Sequence, residues 1–313
     1  MVSVRSRVAA VLAGVVAMTL VTACRDSRPP AEDAQRRGPE VVVASFNFSE
    51  SALLAEIYAR AIEAAGVPVR REVDLGPREL VQPALLGGLV DVVPEYLGTA
   101  MASLQPSGGA APTDTAAVRE ALARALDGRG VEVLDAAPAQ NQNGVVVSRA
   151  TAERYGLDSV SDLAAIATGL TLGGPPECPQ RPYCGEGLQR VYGLRFEGFV
   201  PLANEQQRAT ALVDGVVDVA VMFTTDGRLA TGDLVLLQDD RGLQPSENVV
   251  PLVTARAVER FGVRLVDTVN AVSARLTTNS LRFLNWRISI ADRSVANEAR
   301  GWLERQSLVR PPP

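Results

Sequence analysis

The chain has 313 residues, with 31 cationic against 36 acidic side chains and a formal net charge of -5. It contains neither histidine nor lysine, which excludes a histidine base, triad or metal site, a lysine Schiff base and a P-loop lysine. A mildly acidic chain, 47% hydrophobic and without a basic run, is not built for nucleic acid, and neither metal nor cofactor is expected. The length suits two domain-sized units.

At the N-terminus Arg5 and Arg7 precede an apolar run from Val8 to Leu20, broken only by Gly14 and Thr19. A charged start, a short apolar middle and the small residues Val21-Thr22-Ala23 read as an export signal over 1–23, too short for a comfortable transmembrane helix. With Cys24 the end of this segment resembles a bacterial lipobox, in which cleavage precedes a cysteine that is then lipidated. An ordinary signal peptide cleaved after Ala23 and a plain membrane anchor are the alternatives. Residues 24–39, rich in Arg, Pro and charge, read as a flexible tether.

The remainder alternates strand-like and helical patterns. Val41 to Ala44 predicts a strand, and Leu53, Leu54, Ile57, Ala61 and Ile62 recur on one face of a helix from about Ser51 to Ala65. Ser49 is the expected cap of that helix and Gly66 its end. Val69–Val73 predicts a strand, Arg78–Leu86 a helix and Val90–Val93 a strand. The middle of the chain repeats the pattern: a strand over Gly144–Val147, a helix starting at Ser161-Asp162, and a strand over Leu170–Leu172. A helix over Gly187–Tyr192, a strand over Phe199–Leu202, a helix over Glu205–Val213 and a strand over Val216–Phe223 follow. Ala84–Val93 can be laid on Ala211–Ala220, which aligns Gly88 with Gly215, Asp91 with Asp218 and Tyr96 with Phe223. Strands alternating with helices predict an α/β fold with mostly parallel sheets, and the echo predicts two similar lobes.

Ligands of open α/β sheets collect at the carboxyl ends of strands and the helix N-termini that follow. That rule selects Phe46-Asn47-Phe48-Ser49-Glu50, Glu95-Tyr96-Leu97-Gly98-Thr99 and Phe223-Thr224-Thr225-Asp226. Each carries an aromatic beside small polar groups, in a chain with only seven Phe, five Tyr and two Trp. Simple packing, such as a hydrophobic staple by Phe46 or Phe48, is the competing account. Cys178 and Cys184 lie in a proline-dense loop and, in an exported chain, are expected to form a disulfide; two free thiols are the alternative.

These residues also carry a likeness to a known family. The chain resembles the substrate-binding proteins of ABC importers for glycine betaine, choline, carnitine and related osmoprotectants, from about Val41 to Leu308. The matching pieces are residues 45–50, 84–100 and 138–143, then Ser161-Asp-Leu163, Tyr192-Gly-Leu194, Thr225-Asp-Gly227, residues 233–240 and Leu284-Asn-Trp286. Glu95-Tyr-Leu-Gly-Thr99 after Val-Asp-Val-Val-Pro94 is the most specific of them.

The resemblance implies a two-lobed, type II periplasmic-binding-protein clamp. Lobe one would comprise 40–138 plus 249–313 and lobe two 139–248, with crossings at Pro138–Asn143 and Gln244–Val249. It further implies a monomer on the outer face of the bacterial cytoplasmic membrane, tethered through lipidated Cys24 and passing its ligand to permease subunits. A trimethylammonium has no N–H to donate, so aromatic faces must recognise it. Tyr96 and Phe223, with Phe48 nearby, are the candidate faces. Asn47, Ser49, Thr99, Asn141 and Asn143 are candidate donors to a ligand carboxylate, Thr225 lines the same strand end, and Asp226 either faces the cation or caps a turn. Members often carry an aromatic where this chain has Gly144, a tyrosine where it has Pro245–Asn248, and Glu-Phe where it has Glu177-Cys178. The cage is therefore thinner unless Tyr183 folds over the cleft, and a different zwitterion or an amino-acid-like solute is the alternative ligand. Two other classes compete with a transport receptor: a ligand sensor built on the same clamp, and an exported hydrolase using a carboxylate pair drawn from Glu50, Glu95 and Asp226.

Overall fold

A computed structural model describes residues 39–104 and 114–310. The proposed signal segment, Cys24 and residues 24–38 of the tether lie outside the described residues. Among the described residues no helix is long and apolar enough to cross a membrane.

The first part of the chain forms β1 (Val41–Phe46), α1 (Ser49–Ala64), β2 (Val69–Gly76), α2 (Arg78–Leu86), β3 (Val92–Tyr96), α3 (Leu97–Leu104), α4 (Thr115–Leu126) and β4 (Val131–Val133). The second forms β5 (Asn143–Ser148), α5 (Arg149–Tyr155), β6 (Thr171–Gly174), α6 (Gly185–Tyr192), β7 (Gly198–Pro201), α7 (Glu205–Val213), β8 (Val219–Phe223) and β9 (Leu234–Leu236). The last part forms β10 (Val249–Thr254), α8 (Ala255–Phe261), α9 (Val263–Arg275), α10 (Thr278–Ser289) and α11 (Val295–Arg305).

The strands build two five-stranded sheets, ordered β2-β1-β3-β10-β4 and β7-β6-β8-β5-β9. In the first, β2, β1 and β3 are parallel, β10 is antiparallel to β3, and β4 is antiparallel to β10. The second has the same plan, with β5 as the reversed strand. Four strands of each sheet thus share a direction, as the α/β alternation predicts. The reversed strand in each sheet is the one that follows a passage of the chain from the other sheet. Gln140 and Asn248 of the two connecting segments form an antiparallel bridge, and Gln142 Nε2 donates to Pro245 O at 2.7 Å.

Burial follows the period of two along a strand. Val41 and Val43 of β1 pack with α1, α9, α10 and α11, whereas Val42, Ala44 and Phe46 pack with α2, α3 and α4. The continuous apolar run of β1 is therefore a strand covered on both faces. The second sheet repeats this, with Val145 and Val147 facing α5 and α6 and Val146 facing α7.

The internal echo is structural, residue for residue. Helices α2 and α7 start 127 positions apart, and so do β3 and β8. Gly88 and Gly215 turn the chain with φ of 67° and 69°. Asp91 accepts the Val42 N–H at 3.0 Å, and Asp218 accepts the Thr171 N–H at 2.8 Å, so each pins the start of the neighbouring strand. Two local expectations need correction. Ser49 does not cap α1: Phe48 is the N-cap residue, without a side-chain cap, and Ser49 already lies in the helix. The segment at Ser161-Asp162 is a short 3₁₀ turn over Val160–Ala165.

Candidate ligand-binding cleft

The ends of β1, β3 and β8 meet the first connecting segment and α10 around a cavity of about 520 Å³. Phe48, Ser49 and Glu50 enter from the start of α1, and Tyr96 and Thr99 from the end of β3 and the start of α3. Asn141 enters from the connecting segment, and Phe223, Thr225, Asp226, Gly227 and Arg228 from beyond β8. Glu205 opens α7, while Asn285, Ser289 and Ile290 come from the end of α10. The register places the two aromatic strand ends alike: Tyr96 faces Val249, the first residue of β10, and Phe223 faces Asn143, the first residue of β5.

Phe46 and Phe48 stack with ring centroids 6.0 Å apart, and Phe48 lies 6.3 Å from Tyr96. The Arg78 guanidinium covers Phe46 at 4.9 Å while it pairs with Glu95 through two hydrogen bonds of 2.9 and 2.8 Å. Phe48 and Phe223 are 42% and 47% exposed, large for apolar rings, and both line the cavity. The extended backbone of the N-cap residue Phe48 (φ -145°, ψ 153°) sets its ring apart from the helix core.

Beneath the rings lies a buried carboxylate, Glu50, which accepts from the Tyr96 hydroxyl at 2.6 Å, from Asn141 Nδ2 at 2.9 Å and from Asn285 Nδ2. Asn285 Nδ2 also donates to Thr225 O at 2.9 Å. Burial, reinforced by the Glu50 charge, holds the Tyr96 hydroxyl protonated, well above the usual tyrosine range. The amide oxygens of Asn141 and Asn285 are buried without a partner.

On the opposite wall Asp226 pairs with Arg228 at 3.1 Å, and Glu205 pairs with Arg208. Burial pushes the Glu205 carboxyl up to about 7; Arg208 opposes this, and the adjoining Asp226 carboxyl adds to it. The charged residues lining the cavity are Glu50, Glu205 and Asp226 against Arg228. Asp226 is engaged by Arg228 and Glu205 by Arg208, so Glu50 is the carboxylate left to face a cation, and the rings supply faces for its alkyl groups.

Of the residues singled out from sequence, Phe48, Ser49, Tyr96, Thr99, Asn141, Phe223, Thr225 and Asp226 line this one cavity. Asn47 is exposed and lines no part of it. Asn143 lies in an adjoining cavity of about 380 Å³ that shares Thr99, Asn141, Glu205 and Phe223 with the first. Tyr183 also lines that second cavity, next to the Cys178–Cys184 disulfide. The expected donors are largely engaged elsewhere: Thr99 Oγ1 donates to Glu247 at 2.8 Å, and the Asn141 NH₂ faces Glu50. Of the carboxylates, Glu95 is held by Arg78 and does not line the cavity. At Gly144 an added Cβ would stand 2.4 Å from Leu236 Cδ1, so any side chain there requires Leu236 to move aside.

Sequence reasoning missed Asn285, Glu205, Gly227 and Arg228. A signal for Asn285 exists: it follows Leu281 and Leu284 on the buried face of α10, where a polar residue demands partners.

Two like-built α/β sheets, joined by paired connecting segments with an aromatic cavity at their strand ends, define a type II solute-binding protein. Comparison with known proteins specifies the class. Residues 39–305 match the family described as the substrate binding domain of ABC-type glycine betaine transport system, and the chain belongs to that family. It is 27% identical to the glycine betaine-binding protein YehZ of Escherichia coli, over 86% of this chain and 92% of that protein. It is 22% identical to the ergothioneine transport permease/ergothioneine binding protein EgtU of Helicobacter pylori, over 86% of this chain but only 48% of that protein, so it spans about half that relative's length. A crystal structure of a glycine betaine/carnitine/choline ABC transporter protein shares the fold, with a TM-score of 0.80 at 24% identity, covering 86% of this chain and 99% of that one. The chain is accordingly a solute-binding protein for transport.

Proposed function

We propose that the cleft binds a small quaternary amine or related zwitterion of the betaine, choline or carnitine type and delivers it to an ABC permease. The observation that carries this reading is a cavity with exposed Phe48 and Phe223 rings above the buried Glu50 carboxylate, which the neutral donors Tyr96, Asn141 and Asn285 hold. An ammonium seated against such rings gains about 2 kcal/mol when desolvated. A ligand carboxylate would take the Ser49 and Thr225 hydroxyls and the uncapped first turn of α1. Residues 40–138 with 249–313 would move as one lobe against 139–248, bending at the paired connecting segments. Lipidated Cys24 and residues 25–39 would tether the monomer outside the membrane, within reach of the permease.

The test is a thermal-shift and calorimetric screen of the protein lacking residues 1–23 against glycine betaine, choline, carnitine, dimethylglycine and the amino acids. A true ligand at a hundred times its Kd adds about 2.7 kcal/mol of stability. Binding of an amino acid with no response to any of the amines would overturn the reading.

A further inference from the structure

The floor of the cleft offers acceptors and few donors. Glu50, when ionised, only accepts, so each amide beside it must turn its NH₂ toward it. Asn141 does so at 2.9 Å. Asn285 does so as well, and spends its NH₂ a second time on Thr225 O at 2.9 Å. Flipping either amide would set an oxygen against a carboxylate oxygen, and at Asn285 against a carbonyl too, so chemistry fixes both orientations. The two Oδ1 atoms are the groups left over, buried and unpartnered, on residues that line the cavity. Asn285 itself is only 8% exposed. The Tyr96 hydroxyl cannot serve them, because its proton is committed to Glu50 at 2.6 Å.

We propose that Asn141 and Asn285 select for a ligand that brings a hydrogen-bond donor of its own, an N–H or O–H beside the cationic centre. This rests on the reading of the cleft as an amine site and narrows it. A fully methylated ammonium satisfies the rings and the Glu50 charge but leaves both amide oxygens unpaired, with only weak C–H contacts to offer. A hydroxyl or an ammonium N–H pairs them. Sites with buried acceptors discriminate steeply against analogues that lack the matching donor, because the unpaired acceptor has lost its water.

Matched pairs test this on the protein lacking residues 1–23, by calorimetry: choline against ethyltrimethylammonium, and dimethylglycine against glycine betaine. The donor-bearing member of each pair should bind about tenfold or more tightly. In Asn141→Leu the ratio within each pair should shrink toward one. Equal affinity within both pairs, or tighter binding of the donor-free members, would overturn the inference and leave the amine reading standing. Failure of all four compounds on a protein that melts cooperatively would overturn the amine reading and this inference with it.

Discussion

Gly227→Ala tests whether the cavity depends on the contact between α10 and the turn that follows β8. The Gly227 backbone does not have positive φ, so glycine is required there for space. An added Cβ would lie 2.4 Å from Trp286 N, 2.5 Å from Trp286 Cα and 2.8 Å from the Asn285 carbonyl carbon. All three are backbone atoms, so no side chain can swing aside, and ordinary contact at 3.4 Å requires the turn to retreat by about 1 Å. That retreat would stretch the Asn285 Nδ2–Thr225 O bond of 2.9 Å beyond hydrogen-bonding range. The two bonds from Arg282 to Thr224 O, at 3.1 and 2.9 Å, would go with it. Losing these three costs about 2–4 kcal/mol, a factor of about 30 to 1,000 in an equilibrium. Leu229 of the same turn and Leu284 beside Asn285 belong to two separate apolar cores, so each core can move with its own side and the cost should fall on the arrangement that forms the cavity more than on folding. Calorimetry with the tightest ligand from the amine screen should show Kd raised at least 30-fold. The unliganded melting temperature should fall by only a few degrees. Affinity within threefold of wild type would refute the argument.

Phe223→Ala removes an exposed ring from the cavity wall and should weaken a quaternary ligand by about 2 kcal/mol with little loss of stability; unchanged affinity in titration would move the ammonium site elsewhere. Reducing or replacing Cys178 and Cys184, six positions apart, should cost about 2 kcal/mol of stability, read as a lower urea midpoint in dithiothreitol. Glu205 binds its proton up to about pH 7 in the folded protein, above the usual glutamate value, so the folded state holds more protons than the unfolded between those limits. Its contribution to stability therefore falls as pH rises from about 4.5 to 7, and Glu205→Gln should lose that part of the pH dependence of melting. Identical slopes in the two proteins would contradict this.

Much of the fold was legible because the sequence states it twice. The aligned Asp91 and Asp218 do the same work in each sheet, and the helices preceding them match in length and position. What was less legible follows a crossing or a long sequence separation. Val249–Thr254 joins the first sheet only after more than a hundred residues spent in the second, and Pro251 argues locally against a central strand. It is accommodated opposite Pro94 in a pair whose backbone groups face away from each other, with the Pro251 carbonyl accepting from Leu134 N at 3.1 Å on the far side. Strand-end reasoning located the aromatic wall, since that follows from the chain's direction. It could not assign hydrogen-bond roles, because Asn141 becomes an acceptor only once Glu50, 91 positions away, claims its NH₂.

The same limitation explains why Asn285 matters more than its place in the sequence suggests. It is the side chain at which the cavity floor and the contact between the two halves of the cleft coincide, since one NH₂ group serves Glu50 and Thr225 O together. Polarising its oxygen through a ligand donor makes that NH₂ more acidic and strengthens both bonds, because linked hydrogen bonds reinforce one another. A ligand lacking the donor withdraws that reinforcement while still occupying the rings. Discrimination by the amides and closure of the cleft are on this account one equilibrium, and a substitution that opens the contact, such as Gly227→Ala, should also flatten the preference for donor-bearing amines.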